Sequence, residues 1–343
     1  MRRVFIFIII SMAAVLCAAA MMNSSDGKAK FELKIPLGLD AQLQYLPADN
    51  PLTAEKIELG RMLYFDKRLS ADNSVACATC HNPKFGFTDG MAVSTGIKGQ
   101  TGGRSAPTVI NRLFSDAQFW DGRAESLEAQ ALGPIQNPIE MGSTLDAVVK
   151  KLNAIKGYRL AFQRAFGTGV TADGIGKAIA SFERTVLCGN SPYDRFKAGD
   201  QNALSESAKA GLALFESERV KCTACHVGHN FTDENYRNLG IGMEKGEPDL
   251  GRYEITKNEE DRGAFKTPTL RDVARTAPYM HDGSLKTLME VIDYYDKGGT
   301  PNAHLSSDMK ALHLTAQEKV DLIEFLKSLT GEMPTFEEPK LPN

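Results

Sequence analysis

The sequence predicts a mainly α-helical chain built from two related halves in tandem, and three observations predict it. The pentapeptide Cys-x-x-Cys-His occurs twice, as Cys77-Ala78-Thr79-Cys80-His81 and Cys222-Thr223-Ala224-Cys225-His226. Other residues recur at a fixed spacing of 161, namely Pro107-Thr108 with Pro268-Thr269, Asp121-Gly122 with Asp282-Gly283, and Leu127 with Leu288. Between these landmarks apolar residues return at helical period, without the sustained alternation that a half-buried strand requires.

The elements follow in order. Arg2 and Arg3 precede an apolar run that ends in Ala18-Ala19-Ala20, ahead of polar Asn23 to Asp26. That is the layout of a secretory signal over residues 1–20, cleaved near Ala20. An uncleaved membrane anchor is the rival, since the run is close to spanning length; lipidation at Cys17 is disfavoured by the bulk of Leu16. Loss of the segment moves the formal charge from −3 to −5, because Arg2 and Arg3 leave with it. Nothing in that balance suggests nucleic acid. Leu59-Gly60-x-x-Leu63-Tyr64 precedes the first motif as Ala210-Gly211-x-x-Leu214-Phe215 precedes the second, and Phe87-Thr88-Asp89 follows the first as Phe231-Thr232-Asp233 follows the second. Ala124 to Leu132 reads as a short helix stopped by Gly133-Pro134, which leaves Pro134 to Glu140 as a loop. Ile175, Ile179, Phe182 and Val186 mark another helix. Residues 189–201 read as a linker between a first domain over 31–195 and a second over 196–343. Thr315-Ala316-Gln317-Glu318 is a capping box opening a helix with Val320, Ile323 and Leu326 on one face.

Two thiols on one turn can add to both vinyl groups of a haem, and the adjoining His then reaches the iron. A zinc knuckle would need a second Cys-x-x-Cys or a His pair within a short span, whereas these motifs lie 145 residues apart. A thioredoxin-like dithiol has no use for a His after both second cysteines. The prediction is therefore two covalently bound haem c in two cytochrome c-like domains, attached through Cys77, Cys80 and His81 and through Cys222, Cys225 and His226. Export would permit disulfides. Four of the six cysteines go to haem, Cys17 leaves with the signal and Cys188 stands alone, so no disulfide framework is predicted.

The repeat is informative where it breaks. At the fixed spacing Trp120 corresponds to His281, and Pro134 to Tyr295. No His lies between His81 and His226, so the first half offers no distal imidazole; Met91 and Met141 are the other ligand candidates, although a loop Met is more often packing. The expected result is an open iron, which peroxide binding requires. Glu140 is then the candidate for moving a proton between peroxide oxygens, with a solvated loop acid as the plain alternative; for Trp120 that alternative is core burial. The second half offers Met280, His281, Met289, Tyr294 and Tyr295 as distal ligands and is the candidate for electron storage. Tyr294 falls one residue off the repeat register, about 100° round a helix from Tyr295.

Phe119-Trp120-Asp121-Gly122-Arg123-Ala124, Gly133-Pro134-Ile135-Gln136-Asn137-Pro138-Ile139-Glu140-Met141 and Ala277-Pro278-Tyr279-Met280-His281-Asp282-Gly283, joined to the two haem motifs, resemble the bacterial dihaem cytochrome c peroxidase family, including its methylamine-utilisation (MauG) branch. The resemblance runs from about Leu52 to Leu329. It implies that His81 is proximal at a peroxidatic haem and His226 at an electron-transferring haem, with Trp120 between them and Gln130, Pro134 and Glu140 in the distal pocket. It also implies an interhaem calcium ion at Asn111, Thr276 and Pro278, the last two through backbone carbonyls; oxygen donors suit that ion. Two departures matter. Ile97 falls where classical members carry a His that closes the iron until reduction, so a need for reductive activation is not expected. Tyr295 falls where they carry Met and the methylamine branch carries Tyr, so a lower potential is expected at the second haem. The implied activity is periplasmic reduction of hydrogen peroxide to water with electrons from a small cytochrome c or copper protein, and a homodimer is compatible with it. The alternatives are oxidation of a protein substrate through a high-valent dihaem state and a non-catalytic dihaem electron carrier.

Overall fold

The computed structural model describes residues 31–343, so the segment expected to act as signal or anchor, residues 1–20, lies outside the described residues. In chain order the α-helices are α1 (Ala54–Phe65), α2 (Cys77–Cys80), α3 (Leu127–Gln136), α4 (Leu145–Ala154), α5 (Lys156–Phe166), α6 (Ala172–Glu183), α7 (Pro192–Lys197), α8 (Glu206–Phe215), α9 (Tyr253–Thr256), α10 (Leu288–Asp296) and α11 (Ala316–Ser328). Two short strands, β1 (Tyr236–Arg237) and β2 (Phe265–Lys266), pair antiparallel with Tyr236 opposite Lys266. A Ser or Thr side chain caps α1, α3, α4, α6, α7, α8, α10 and α11, each accepting an N–H that the first helical turn leaves free. The capping box read at Thr315 and Glu318 is among them.

Among the described residues two large hydrophobic cores form, beside a small cluster of Leu113, Phe114 and Leu187. Leu59, Leu63, Ile175, Ile179 and Phe182 belong to the first, and Leu212, Phe215, Leu322 and Phe325 to the second. Each is organised by a close helix crossing at a glycine. A Cβ on Gly60 of α1 would lie 1.9 Å from the Ala178 carbonyl oxygen of α6, and a Cβ on Gly211 of α8 would lie 1.9 Å from that of Asp321 in α11. The 161-residue repeat extends to the backbone. Phe119 and Met280 have φ of 68° and 72°, and each opens a turn closed by a bridge, Gln118 with Ala124 and Tyr279 with Leu285.

Two expectations need correction. α3 begins at Leu127, after the Ser126 cap, and runs through Gly133-Pro134 to Gln136. Pro134 has no N–H and gives up one helical bond, but the last turn is closed by Asn137 N–H, which donates to the Gly133 and Pro134 carbonyls at 3.1 and 3.3 Å. Residues 189–201 are not a loose linker: they contain α7, whose buried Asp194 pairs with buried Arg271 at 2.6 Å. The C-terminal tail, expected to belong to the second domain over 196–343, reaches back to the first core. Phe336 packs edge-on against Phe87 and Phe182 of the first core, and Arg68 Nη1 donates to the Pro342 carbonyl at 2.9 Å. No helix among the described residues is long and apolar enough to cross a membrane.

Candidate active site: two cavities with a common wall

Each Cys-x-x-Cys-His forms a tight turn in which the His N–H closes on the carbonyl of the first cysteine, at 2.9 Å for both His81 and His226. His81 Nδ1 lies 3.3 Å from the Phe87 carbonyl, and His226 Nδ1 3.0 Å from that of Phe231. A carbonyl oxygen only accepts, so each Nδ1 carries the proton and each Nε2 lone pair is left for a metal. Burial lowers the pKa of both imidazoles and keeps them neutral. Cys77, Cys80, Cys222 and Cys225 are free thiols, in no disulfide among the described residues.

The first motif opens into a cavity of about 480 Å³ that Trp120, Gln130, Pro134 and Glu140 also line. Glu140 is partly buried, and its Oε1 accepts a hydrogen bond from Asn137 Nδ2 at 2.6 Å. Burial raises its pKa, against the opposing pull of that bond and of Arg123. The freely solvated reading of Glu140 is therefore excluded. Ile97 is buried and donates its N–H to the Glu140 carbonyl at 2.9 Å. Its neighbour Gly96 packs so closely that a Cβ would lie 1.9 Å from the Ile139 carbonyl oxygen. Among the described residues the lining holds no His besides His81 and no Tyr. Met91 is exposed and outside the cavity, while Met141 lines it as a buried member of the first core.

The second motif opens into a cavity of about 260 Å³ lined also by Met280, His281, Tyr295 and Met309. Met309 was not foreseen. Tyr294 is turned away, its hydroxyl donating to the Leu239 carbonyl at 2.9 Å, and Met289 is half-exposed outside the lining. The His281 ring stacks on Phe265 at 3.6 Å and 12°, and burial pushes its pKa down to about 4. Burial pushes the Tyr295 phenol up.

Ser105, Ala106, Pro107, Thr108, Arg112, Trp120, Lys266 and Pro268 line both cavities and form a common wall. Trp120 Nε1 donates to the Ser105 carbonyl at 2.8 Å. Ser105 N–H donates to the His281 carbonyl at 2.7 Å and Lys266 N–H to the Trp120 carbonyl at 2.8 Å. These two bonds exchange under the 161-residue repeat, which pairs position 105 with 266 and 120 with 281. Lys266 is buried, paired with Glu234 at 2.7 Å, and desolvation pushes its pKa down to about 8. Arg112, Lys266 and Glu183, a buried acid lining the first cavity with a pKa raised to about 8 by burial, went unread in the sequence. The repeat register of Lys266 with Ser105 is the one signal that could have found the wall.

Asn111, expected to hold the calcium ion, is fully buried. Its Oδ1 accepts the Cys188 N–H at 2.8 Å and its Nδ2 donates to the Cys188 carbonyl at 3.0 Å, so the carboxamide is engaged by backbone. It lines neither cavity, whereas Thr276 and Pro278 line the second. The paired thiols, the free Nε2 atoms and the mainly apolar walls do fit a haem in each cavity.

A family model described as di-haem cytochrome c peroxidase matches residues 54–202. The chain is 43% identical over 300 residues to the methylamine utilization protein MauG of Methylorubrum extorquens, covering 86% of this chain and 84% of that one. It is 40% identical over 303 residues to the cytochrome c551 peroxidase of Nitrosomonas europaea, covering 88% and 87%. A solved structure of a MauG-like protein associated with microbial copper homeostasis superimposes with a TM-score of 0.82 at 34% identity, covering 88% of this chain and 96% of that one.

Proposed function

The chain belongs to the di-haem cytochrome c peroxidase family and is a haem peroxidase, and from that premise we propose that it carries one covalent haem c in each cavity and reduces hydrogen peroxide to water with electrons from a small cytochrome c or copper protein. The observation that carries the proposal is the difference between the cavities. Among the described residues the first has no imidazole besides His81 and no phenol, and sets the half-buried Glu140 carboxyl and the Met141 thioether in its wall, while the second adds two phenols, those of Tyr279 and Tyr295, a second imidazole and two thioethers to its own imidazole.

When bound, the haems supply peroxide binding and electron transfer. The protein residues handle the protons of H2O2 + 2H+ + 2e− → 2H2O. Glu140 Oε1 is held by Asn137, which leaves Oε2 to take a proton from one peroxide oxygen and return it to the other, which departs as water. Desolvation raises the proton affinity of Glu140 toward the range in which one group can both take and give. Gln130 and Pro134 shape the pocket around that exchange, Trp120 would stand between the two haems, and Tyr295 would hold the second iron. Asn111 and the Thr276 and Pro278 carbonyls would hold a calcium ion between the two haems. The charged, apolar and small-residue pattern over residues 1–20 supports a periplasmic location.

Haem-stained denaturing gels should show two haems per chain, and reduced cytochrome c should be oxidised on addition of peroxide; two haems without turnover would leave an electron carrier. Tyr295 favours a second reading, oxidation of a protein substrate at the expense of peroxide. Mass analysis of partner proteins after peroxide treatment separates the two.

A further inference from the structure

The common wall contains two cations, and only one is neutralised by protein. Lys266 is paired with Glu234. Arg112 donates Nε to Gln118 Oε1 and Nη2 to the Ala117 carbonyl, both at 2.8 Å and both uncharged. Among the described residues it makes no ion pair. The carboxyl that feels its charge inside the first cavity is Glu183, which burial holds toward the neutral form. A guanidinium does not shed its proton, and a half-buried one without a counter-anion is costly. The anion must come from what fills the cavities. A haem carries two propionate carboxylates, and the guanidinium fork has five donors, of which two are engaged here.

We propose that Arg112 is a shared counter-ion for the propionates of both haems, a positioning residue in the wall between the two sites that sets their reduction potentials together. The inference rests on the two-haem reading above. A fixed positive charge in a medium of low dielectric favours the reduced, more negative state of each neighbouring haem, and salt screens it little. One charge lining two cavities therefore acts on two potentials at once. Arg123 lines only the first cavity and is paired with Asp121, so it supplies the single-site comparison.

The test is a spectroelectrochemical titration of the haem-loaded full chain, following the two haems by their separate spin-state bands. Arg112→Gln should weaken both reduction equilibria about tenfold, a fall of about 59 mV for each one-electron couple, and Arg112→Lys should restore most of it. Arg123→Gln should move the first haem alone. Two retained haems with neither potential moved, or only one moved, overturns the proposal, as does failure of Arg112→Lys to recover potentials lost in Arg112→Gln. If Arg112→Gln does not load haem, wild type against Arg112→Met, expressed under the same conditions, gives the same reading. A wild-type chain with one haem removes the two-haem reading itself, and the haem count reports this before any potential is measured.

Discussion

At the residue scale the chemistry assigned to Glu140 depends on how it is held. A solvated carboxyl would be ionised at neutral pH and would return a proton poorly, whereas burial raises this one while Asn137 fixes one oxygen. Glu140→Gln should keep both haems and lower peroxide turnover about 100-fold or more; unchanged turnover would remove the residue from the mechanism. In the wild type, activity that uses the carboxylate should fall as pH drops through the raised pKa, and the Gln variant should lose that acid limb. Glu183 makes a different statement. Its pKa is raised to about 8 from 4.5, so the folded state binds the extra proton between those values. Its contribution is fully present below about 4.5 and is lost as pH rises through about 8. Thermal midpoints of the wild type should decline across that window, and Glu183→Gln should flatten the decline. Tyr295 and Tyr294 provide a paired test. Tyr295→Phe should change the spin state of the second haem. Tyr294→Phe should leave the spectrum alone and lose about 1 kcal/mol with its hydrogen bonds to Leu239 and Thr300.

At the scale of elements, the helix crossings at Gly60 and Gly211 are where sequence and packing agree. Small residues stand at equivalent places in the two Leu- and Phe-flanked runs because a neighbouring carbonyl leaves no room for a Cβ. Gly60→Ala should therefore destabilise by about 1–3 kcal/mol through overpacking. Gly103→Ala, with nothing near its Cβ, should change stability by less than about 0.5 kcal/mol; equal thermal midpoints for the two variants would contradict the crossing geometry. The elements that sequence reading missed share a physical reason. Stopping α3 at Gly133-Pro134 applied the rule for helix interiors, but Pro134 lies in the last turn, where a bond from Asn137 closes the helix. The polar stretch over 189–201 reads as linker until Asp194 is seen buried against Arg271, a partner 77 residues away. Asn111 has a left-handed backbone, φ 59°, and its carboxamide ties it to Cys188, 77 residues away, a contact that no local pattern announces. Motifs with fixed local spacing were legible, because the thiols and imidazole act within one turn. The common wall was not, because Arg112 and Lys266 meet only after two cores have folded.

At the scale of the molecule the two halves meet through a reciprocal pair of hydrogen bonds, Ser105 to His281 and Lys266 to Trp120, which gives the contact the self-complementary character of a two-fold interface within one chain. Such a wall suits two sites that exchange electrons, since the indole and its carbonyl partners belong to both cavities. It does not require the first cavity to open and close. The loop that could gate it is fastened from three sides: Ile97 N–H to the Glu140 carbonyl, Gly96 against Ile139, and the Ile97 side chain against Gly142, where a Cβ would lie 2.2 Å from Cδ1. Ile97 also offers no donor atom with which to close an iron. Freeing the loop would break these contacts for no gain in access, so the oxidised protein is expected to be competent as isolated. Peroxide mixed with the fully oxidised, haem-loaded chain in a stopped-flow instrument should change the haem absorption within the mixing phase, at a rate that prior one-electron reduction leaves unaltered. A spectrum that stays silent until the second haem is reduced would mean that a group outside the 96–100 loop closes the first site, and that the wall transmits a conformational signal as well as electrons.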